Sequence, residues 1–316
     1  MATRHAAPWR IENSIEFKMQ NGVLLIDKPE GPSSAHIVRR VKKMLGAKKV
    51  GHLGSLDPFA SGLLLLGINE GTKVADVFLG ASKNYQGVIS LGKRTDSQDS
   101  TGRVIEVRSV PALGPAELRA LAAKFTGDLQ QIPPMFSALK KDGVRLYKLA
   151  RQGREIPREP RSIRIERLQL RQLSHVEIEF EVTCSRGTYV RTLAADMGEF
   201  LGCGGHLKSL RRTACGHLTL EQARTLEELE GIRDREQIPT ITLEAALCHL
   251  RALTWDSGTI SRLRLGQQEV LRQLGRPENN ERLVCILDLQ RNLVALAEWA
   301  EMPGGSGWRL LRVFRS

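Results

Sequence analysis

Continuous apolar runs and helically spaced apolar residues alternate along the first part of this chain. The segments 22–29 and 63–66 are each typical of a buried strand, and a turn closes the first of them. Between them, residues 37–45 place apolar side chains three or four positions apart, and Ser33 or Ser34 can cap a helix there. We therefore expect a strand, a helix and a second strand in this order.

Both kinds of element continue further along the chain. Residues 72–79 and 115–125 predict helices, and residues 85–91 predict a strand. Residues 176–184 alternate between apolar and polar positions, which is typical of a strand with one buried face. A turn then leads into a further helix after Thr188.

The order of these elements indicates the fold class. Strands and helices follow one another without a regular strand–helix repeat, so we expect an α+β fold with a mixed, largely antiparallel sheet flanked by helices. A linker at 237–240 precedes short strands predicted at 282–287, 293–299 and 308–314. The expected parts are an N-terminal extension (1–20), a main domain (21–235) with a basic insertion (127–160), and a small β-rich domain (240–316).

The chain is strongly basic. Its 316 residues carry a net charge of +12, and 41% of them are hydrophobic, so the chain is long enough for two domains and is not a disordered basic tail. Such a charge indicates a polyanionic partner. Nucleic acid is the first candidate. An anionic membrane surface is the second, although no apolar stretch approaches the roughly 20 residues of a membrane span.

Five cysteines without a Cys-x-x-Cys pair indicate free thiols in a reducing compartment. The first twenty residues lack the apolar core of a secretory signal, so we expect a cytoplasmic location. One alternative use of these residues is a zinc site, formed by Cys203, His206, Cys215 and His217. Their spacing matches known zinc sites poorly, and we expect no metal.

The most basic window of the chain is 140–171, with eleven lysines and arginines against four acidic residues. Within this window a cation occurs at every third position, at Arg145, Lys148, Arg151 and Arg154. On a helix these side chains would wind slowly around one side. A solvated helix is the alternative, but the density of arginine favours contacts with RNA or DNA phosphates. The predicted helix at 37–45 carries a second basic face, with no acidic residue between Glu30 and Asp57.

Asp57 lies in a glycine-rich run, 51–62, directly before the apolar segment 63–66. Glycines allow turns that other residues resist, and Pro58 biases Asp57 away from helical geometry. We therefore expect Asp57 at a rigid corner beside the core, where catalytic groups are commonly found. The alternative is an ordinary turn aspartate, because Asp-Pro is a common turn signal.

A strand-to-helix corner supplies candidate partners for this carboxylate. Tyr189 offers an aromatic face and a hydroxyl, and Arg191 offers a cation that can pair with Asp57 and keep it ionised. Tyr85 is a second aromatic residue that can stack on a base.

The remaining charged residues suggest no other chemistry. Asp76, Asp96 and Asp99 are expected at the surface, and residues 207–212 form another basic patch. The chain has no nucleophile elbow, P-loop, dinucleotide fingerprint or paired-histidine metal motif. A single acid without a cofactor motif suits nucleophilic or general-base catalysis.

Five motifs in order resemble those of the bacterial-type tRNA pseudouridine-55 synthases, over about residues 21–220. They are GVLLIDKP (22–29), GHLGSLDPFASG (51–62), QIPPMFSALK (131–140), CSRGTYVRT (184–192) and LRRT (210–213). The resemblance implies isomerisation of a flipped-out uridine in the tRNA T arm, started by attack of the Asp57 carboxylate. It implies no cofactor, and we expect a monomer that binds tRNA.

The resemblance also implies roles for individual residues. His52 matches the histidine that helps to displace the target base, and Tyr85 matches the aromatic residue that stacks on the uracil. Tyr189 lies near that base, Arg191 pairs with the catalytic aspartate, and Leu210 forms an apolar wall of the pocket. Lys28 and Lys73 join the basic segment as expected contacts to the RNA backbone. Residues 240–316 resemble the RNA-binding domain of the pseudouridine-synthase-and-archaeosine-transglycosylase type.

Two alternatives remain open at this point. One is a catalytic subunit of a guide-RNA particle, whose members share the Asp57 loop but look shorter between the motifs. The other is an RNA-binding or RNA-folding factor without relevant catalysis. The intact insertion at 127–160 favours a stand-alone enzyme, and so does the joint presence of Asp57, Tyr85 and Arg191.

Overall fold

The computed structural model of the protein describes residues 21–277, 281–302 and 305–315. The predicted N-terminal extension, 1–20, lies outside the described residues. In chain order the strands are β1 (Gly22–Lys28), β2 (Val50–His52), β3 (Ser61–Ile68), β4 (Lys83–Leu91), β5 (Lys93–Thr95), β6 (Val104–Val107), β7 (Gly127–Gln131), β8 (Lys140–Lys141), β9 (Val144–Arg145), β10 (Arg161–Ser174), β11 (Glu177–Cys184), β12 (Gly205–Cys215), β13 (Leu218–Thr219), β14 (Thr240–Ile241), β15 (Arg251–Thr254), β16 (Leu283–Leu287), β17 (Leu293–Met302) and β18 (Gly305–Val313).

The α-helices are α1 (Ser34–Leu45), α2 (Ala75–Gly80), α3 (Pro115–Lys124), α4 (Leu146–Arg151), α5 (Val190–Phe200), α6 (Leu226–Glu230), α7 (Leu243–Ala246) and α8 (Ser257–Arg264). Short 3₁₀ turns at Asn69–Val74, Leu220–Gln222, Arg235–Gln237 and Gln268–Leu274 connect some of these elements.

A ten-stranded mixed sheet organises the main part of the molecule. Its principal order is β14-β1-β3-β12-β4-β11-β10-β7, and β2 and β13 pair with β3 and β12. Among the described strands of this sheet, the short pairing between β3 and β12 is parallel and the other pairings are antiparallel. The predicted α+β class with a mixed, largely antiparallel sheet is therefore confirmed.

Strands β1 and β3 are each buried on both faces, which explains their continuous apolar sequences. Leu24 and Leu64 belong to the core beneath α1 and α5. Val23 and Leu63 point to the opposite core, which includes Phe314 from the end of the chain. The C-terminal strands therefore share a core with the main sheet.

Helix α1 begins and ends as its sequence predicts. The Ser33 hydroxyl accepts a hydrogen bond from the backbone N–H of His36, and Gly46 ends the helix with a left-handed φ of 64°. Ile37, Val41 and Leu45 are buried against the sheet. The other face remains exposed and basic at Arg39, Lys42 and Lys43.

The C-terminal region contains a four-stranded sheet in the order β15-β16-β17-β18. The three predicted strands correspond to β16, β17 and β18. Part of the predicted linker, Thr240, lies instead in β14, which pairs with β1 of the main sheet. Similarly, β7 at the start of the predicted insertion pairs with β10, so the segment outside the main sheet begins after Gln131. The domain boundaries themselves stay a prediction.

The basic segment does not form the continuous helix that its three-residue spacing suggests. Helix α4 contains Lys148 and Arg151, while Arg145 precedes it and Arg154 follows it. Gly153 adopts a left-handed φ of 70°, which ends the helical path. Among the described residues, no helix is long and apolar enough to cross a membrane.

Candidate active site

The loop that carries Asp57 is held by a buried arginine from β12. Arg212 is 2% exposed and donates hydrogen bonds to the carbonyls of Leu63 (2.6 Å), Gly54 (3.2 Å) and Ser55 (3.3 Å). The sequence predicted Arg212 as part of a surface patch, and this prediction is wrong. Its fixed planar donors match carbonyls that the loop leaves without a strand partner.

Two further contacts fix the same loop from α1 and β1. The Ser34 hydroxyl accepts a hydrogen bond from the Leu56 N–H and donates one to the Leu56 carbonyl, each at 2.8 Å. Lys28 donates to the Pro58 carbonyl at 3.2 Å. At the start of β3, Gly62 has a φ of 97°, and a Cβ there would lie 2.3 Å from the Arg212 carbonyl oxygen. Asp57 therefore projects from a rigid turn, as the glycine pattern predicts.

Arg191 lies directly against the Asp57 carboxylate. Its Nε is 2.9 Å from Asp57 Oδ2, and its side chain is 6% exposed while that of Asp57 is 43% exposed. The predicted ion pair is present. A carboxylate that is reachable from outside and held from behind by a buried cation has the geometry of a nucleophile or general base.

A second acidic residue holds Arg191 from the other side. Asp99 is 4% exposed, and its Oδ2 lies 3.2 Å from Arg191 Nη1. The Ser97 and Phe136 carbonyls accept the remaining guanidinium hydrogen bonds at 3.1 and 2.8 Å. The expectation of a surface Asp99 is wrong, because its turn folds back onto α5. Its sequence, rich in Ser, Thr and Asp, resembles an ordinary exposed turn and gives no sign of burial.

The surroundings of Asp57 shift its ionisation. The protein around the carboxyl displaces water and raises its pKa above the ordinary value, while Arg191 and Lys28 favour the carboxylate and Asp99 disfavours it. Arg191 therefore limits the rise in the pKa that displacement of water alone would produce.

Tyr85 and Tyr189 approach this site from two different elements. Tyr85 lies on β4 directly opposite Arg212 of β12, and Tyr189 immediately precedes α5. Burial raises the pKa of both phenols, so both are neutral at pH 7. The Asp57 charge contributes to the raised pKa of Tyr189. Their roles in stacking on a base stay predictions.

His52 and Leu210 lie on two strands that both pair with β3, and Leu210 lies in the middle of β12. His52 ends β2, five residues before Asp57, and the nearby protein and Arg212 lower the pKa of its imidazole. Leu210 is 6% exposed and pairs with Gly87 of β4. A Cβ at Gly87 would lie 2.2 Å from the Ser209 carbonyl oxygen, so β4 and β12 can approach this closely only with glycine there.

Two of the expected RNA contacts have partners within the protein, and for Lys28 this contradicts a contact at the surface. Lys28 is fully buried, and its ammonium donates to the carbonyls of Pro29 and Pro58 beneath the Asp57 loop. Lys73 pairs with Glu70 at 2.5 Å and donates to the Val313 carbonyl at 2.7 Å. The Lys28 ammonium is therefore not available to a phosphate at the surface, whereas the Lys73 side chain is 31% exposed. Lys28 supports the loop, and Lys73 joins the last strand to the main sheet.

The other four expected RNA contacts, Arg145, Lys148, Arg151 and Arg154, are all exposed. Within the described ranges none of them forms an ion pair with an acidic side chain. Arg151 lies over the Tyr147 ring at 5.6 Å, while Leu146 anchors the segment in the core at 3% exposure. The segment therefore presents exposed cations without acidic partners among the described residues, and Leu146 fixes its position on the protein.

The zinc alternative is contradicted by the placement of its four residues. The thiols of Cys203 and Cys215 contact the carbonyls of Gly198 and Phe78, respectively, in different cores. His206 contacts the Lys93 carbonyl, and His217 packs on His249. In the part of the chain that the structure describes, no three His, Cys, Asp or Glu residues come together as metal ligands.

Comparisons with known proteins identify the family of this chain. The family described as TruB family pseudouridylate synthase (N-terminal domain) matches residues 42–190, and the tRNA pseudouridylate synthase B C-terminal domain matches residues 191–252. A tRNA pseudouridine synthase B of Opitutus terrae is 46% identical over 68% of this chain and 89% of its own length. Its counterpart in Burkholderia mallei is 43% identical over 89% of this chain and 94% of its own.

A solved structure shares the fold. The crystal structure of a Cbf5-Nop10-Gar1 complex contains a chain that is 25% identical, with a TM-score of 0.69 over 94% of this chain and 86% of that one. The two family matches together span most of the chain, and they contain Asp57, Tyr85 and Arg191. The chain belongs to the TruB family of pseudouridylate synthases.

Proposed function

We propose that this protein isomerises uridine to pseudouridine in tRNA, at position 55 of the T arm, with the Asp57 carboxylate as the nucleophile. The observation that carries the proposal is the Asp57–Arg191 pair, in which a reachable carboxylate rests on a buried cation. Relatives at 43–46% identity are named tRNA pseudouridine synthase B, which supports both the reaction and the substrate class.

The reaction requires only a rearrangement within the nucleotide. The bond between C1′ of the ribose and N1 of the uracil breaks, and a bond from C1′ to C5 forms. C5 loses a proton and N1 gains one, so there is no net oxidation or reduction. Asp57 forms a transient bond to the ribose or to the base and leaves again when the new C–C bond has formed. Arg191 stabilises the carboxylate as it departs.

The two tyrosines account for the stability of the extruded base. Taking a base out of its stack costs a few kcal/mol, and stacking on one aromatic ring returns about 1–3 kcal/mol. We assign stacking on the uracil to Tyr85, and we assign contact with the flipped nucleotide to Tyr189, His52 and Leu210. Tyr85 is partly buried against the core, which restricts its ring before the base arrives.

The exposed cations of the 140–154 segment supply contacts to the phosphates that flank the target loop. Arginine forks bind phosphate oxygens in pairs and position an RNA without reading its sequence. The exposed basic face of α1 lies on a helix that Ser34 attaches to the Asp57 loop. It is a second surface suited to the backbone of the same RNA.

We further place the protein in the cytoplasm, as a monomer. All five cysteines are free thiols, which suits a reducing compartment.

The guide-RNA alternative rests on the shared fold with the Cbf5 chain at 25% identity. The higher identity to relatives named tRNA pseudouridine synthase B favours the first proposal. Incubation of the purified protein with an unmodified tRNA transcript, followed by mapping of pseudouridine, separates the two. We expect modification at U55 without any added protein or RNA, and none in a transcript with C at that position. No product in either transcript would contradict the proposal.

A further inference from the structure

Gln131 forms a two-point contact with the backbone of Tyr189. Its Nε2 donates to the Tyr189 carbonyl at 3.1 Å, and its Oε1 accepts the Tyr189 N–H at 2.8 Å. Gln131 is 4% exposed. The side-chain amide thus pairs with a backbone as a neighbouring strand would, but it does so where the chain turns from a loop into α5.

Gln131 can reach Tyr189 because of where β7 ends. Gln131 is the last residue of β7 and pairs with Arg161 of β10 at the edge of the sheet. Pro133 and Pro134 follow almost at once, and since proline has no N–H the ladder cannot continue. The chain leaves the sheet there, with Gln131 fixed on the rigid side of the turn.

The contact acts on the start of α5. The Tyr189 carbonyl also accepts the first helical hydrogen bond, from Leu193 at 3.0 Å, while no side chain of Tyr189 itself caps the helix. Gln131 therefore fixes the backbone of the N-cap residue and so the position from which α5 begins. Arg191 lies two residues further on.

The same loop returns to Arg191. Five residues after Gln131, the Phe136 carbonyl accepts a hydrogen bond from Arg191 Nη2 at 2.8 Å. Gln131 and Phe136 therefore hold Tyr189 and Arg191 from one short segment. Both held residues lie in the electrostatic surroundings of Asp57.

We infer that Gln131 is a positioning residue for the reaction: by clamping the Tyr189 backbone it sets the geometry of Tyr189 and Arg191 around the flipped uridine. The inference rests on the proposed function. Because the Gln131 side chain is buried and the cations proposed to contact RNA lie elsewhere, we expect its substitution to slow the chemical step and to leave RNA binding unchanged.

Gln131→Glu tests this role with a nearly unchanged shape. The ionised carboxylate of this variant can still accept the Tyr189 N–H, but it repels the Tyr189 carbonyl. The protonated carboxylic acid restores one donor and one acceptor. Because burial raises the pKa of an acid, protonation falls within reach of an ordinary pH series.

We expect kcat of Gln131→Glu at pH 8.5 to be about 10–100-fold below that of the wild type, since small misplacements at an active site have effects of this size. The ratio of variant to wild-type kcat rises as the pH falls towards 6. The dissociation constant for the tRNA stays unchanged at each pH. Gln131→Met, which keeps the size without the hydrogen bonds, shows a low kcat at every pH, and it carries the test if the Glu variant does not fold.

Gln130→Glu is the matched control. Gln130 is the exposed neighbour on β7, and its amide contacts Ser162 at 2.8 Å. We expect its kcat ratio to stay near one across the pH series. A Gln131→Glu ratio that does not vary with pH, or a loss confined to tRNA affinity, would overturn the inference. A wild-type protein that forms no pseudouridine would instead contradict the proposed function.

Discussion

Arg191 and Asp99 form a buried ion pair behind the candidate nucleophile, with Nη1 and Oδ2 separated by 3.2 Å. Both side chains are about 95% buried, and the pair continues through Arg191 Nε to Asp57. The guanidinium is therefore shared between two carboxylates, of which only Asp57 is reachable from outside. Asp99 fixes Arg191 and also adds a negative charge near Asp57.

This arrangement predicts the pH dependence of the reaction. Asp57 attacks as the carboxylate, so kcat falls as the pH drops through its pKa, which burial raises above the ordinary value. Asp99 contributes to that rise, so in Asp99→Asn the acid limb of kcat moves to lower pH. The maximal rate falls about tenfold because Arg191 loses a charged anchor. Single-turnover rates at saturating tRNA between about pH 5 and 8 measure both effects.

Glu106→Gln is a suitable control for this pH series, since Glu106 pairs with Arg94 and Arg108 in a partly exposed cluster. Its acid limb should coincide with that of the wild type. An acid limb that moves to higher pH in Asp99→Asn would contradict the assigned electrostatics.

Arg212 provides a test of how the Asp57 loop is held. Its guanidinium satisfies three carbonyls in the interior, so Arg212→Ala leaves them unpaired. Hydrogen bonds to charged groups contribute about 1.5–3 kcal/mol each, and we expect the free energy of unfolding to fall by about 2–4 kcal/mol. Urea titration followed by circular dichroism measures this change.

The neighbouring Arg211 offers a matched control. It lies on the other face of β12 and pairs with Asp27 at 2.7 Å, and both side chains are partly exposed. Such a pair contributes about 0–1 kcal/mol, so Arg211→Ala should lower the urea midpoint only slightly. Equal losses in the two variants would show that Arg212 does not have the special role given to it here.

The sequence pattern predicted the buried apolar segments but not the burial of Arg212. Apolar periodicity predicted β1, α1, β3 and β11, because burial leaves a regular pattern along the chain. It could not distinguish Arg211 from Arg212, since both appear as cations in one basic run. Only the alternation of faces along β12, and the loop packed against it, decides which of them is buried.

Local sequence patterns also fail to show which of the other charged site residues are buried. Asp57 was recognisable from its glycines and from the resemblance to a family, whereas Asp99 lies in an ordinary turn sequence whose burial depends on contact with α5. Lys28 and Lys73 look like surface cations in the sequence. Their carbonyl partners come from segments up to 240 residues away, which local patterns cannot reveal.

Lys28 gives a prediction about stability and pH. Burial lowers the pKa of its ammonium to about 8, below the value near 10.4 in an unfolded chain. Between these two values the unfolded state binds more protons, so stability due to Lys28 rises with pH over that interval, by up to about 3 kcal/mol. The difference in unfolding free energy between wild type and Lys28→Met, measured by urea titration from pH 7.5 to 10, should rise accordingly. A difference that falls over this range would contradict the buried position.

The basic segment predicts a change in the salt dependence of tRNA binding. If Arg151 and Arg154 each contact a phosphate, their replacement by alanine lowers the slope of log K against log salt by about 1.5. Arg119→Ala with Lys124→Ala removes the same charge from exposed positions on α3 and serves as control. The same loss of slope in both double variants would indicate a general effect of net charge and remove the segment from the interface.

The mechanism depends on attack of the Asp57 carboxylate on the flipped uridine, and Asp57→Asn removes that carboxylate. The amide keeps the shape of the side chain but is a poor nucleophile. Mapping of pseudouridine in an unmodified tRNA transcript, beside a measurement of the dissociation constant, is the decisive experiment. We expect no pseudouridine at U55 and an unchanged affinity for tRNA. Pseudouridine formed by Asp57→Asn at the wild-type rate would contradict this mechanism.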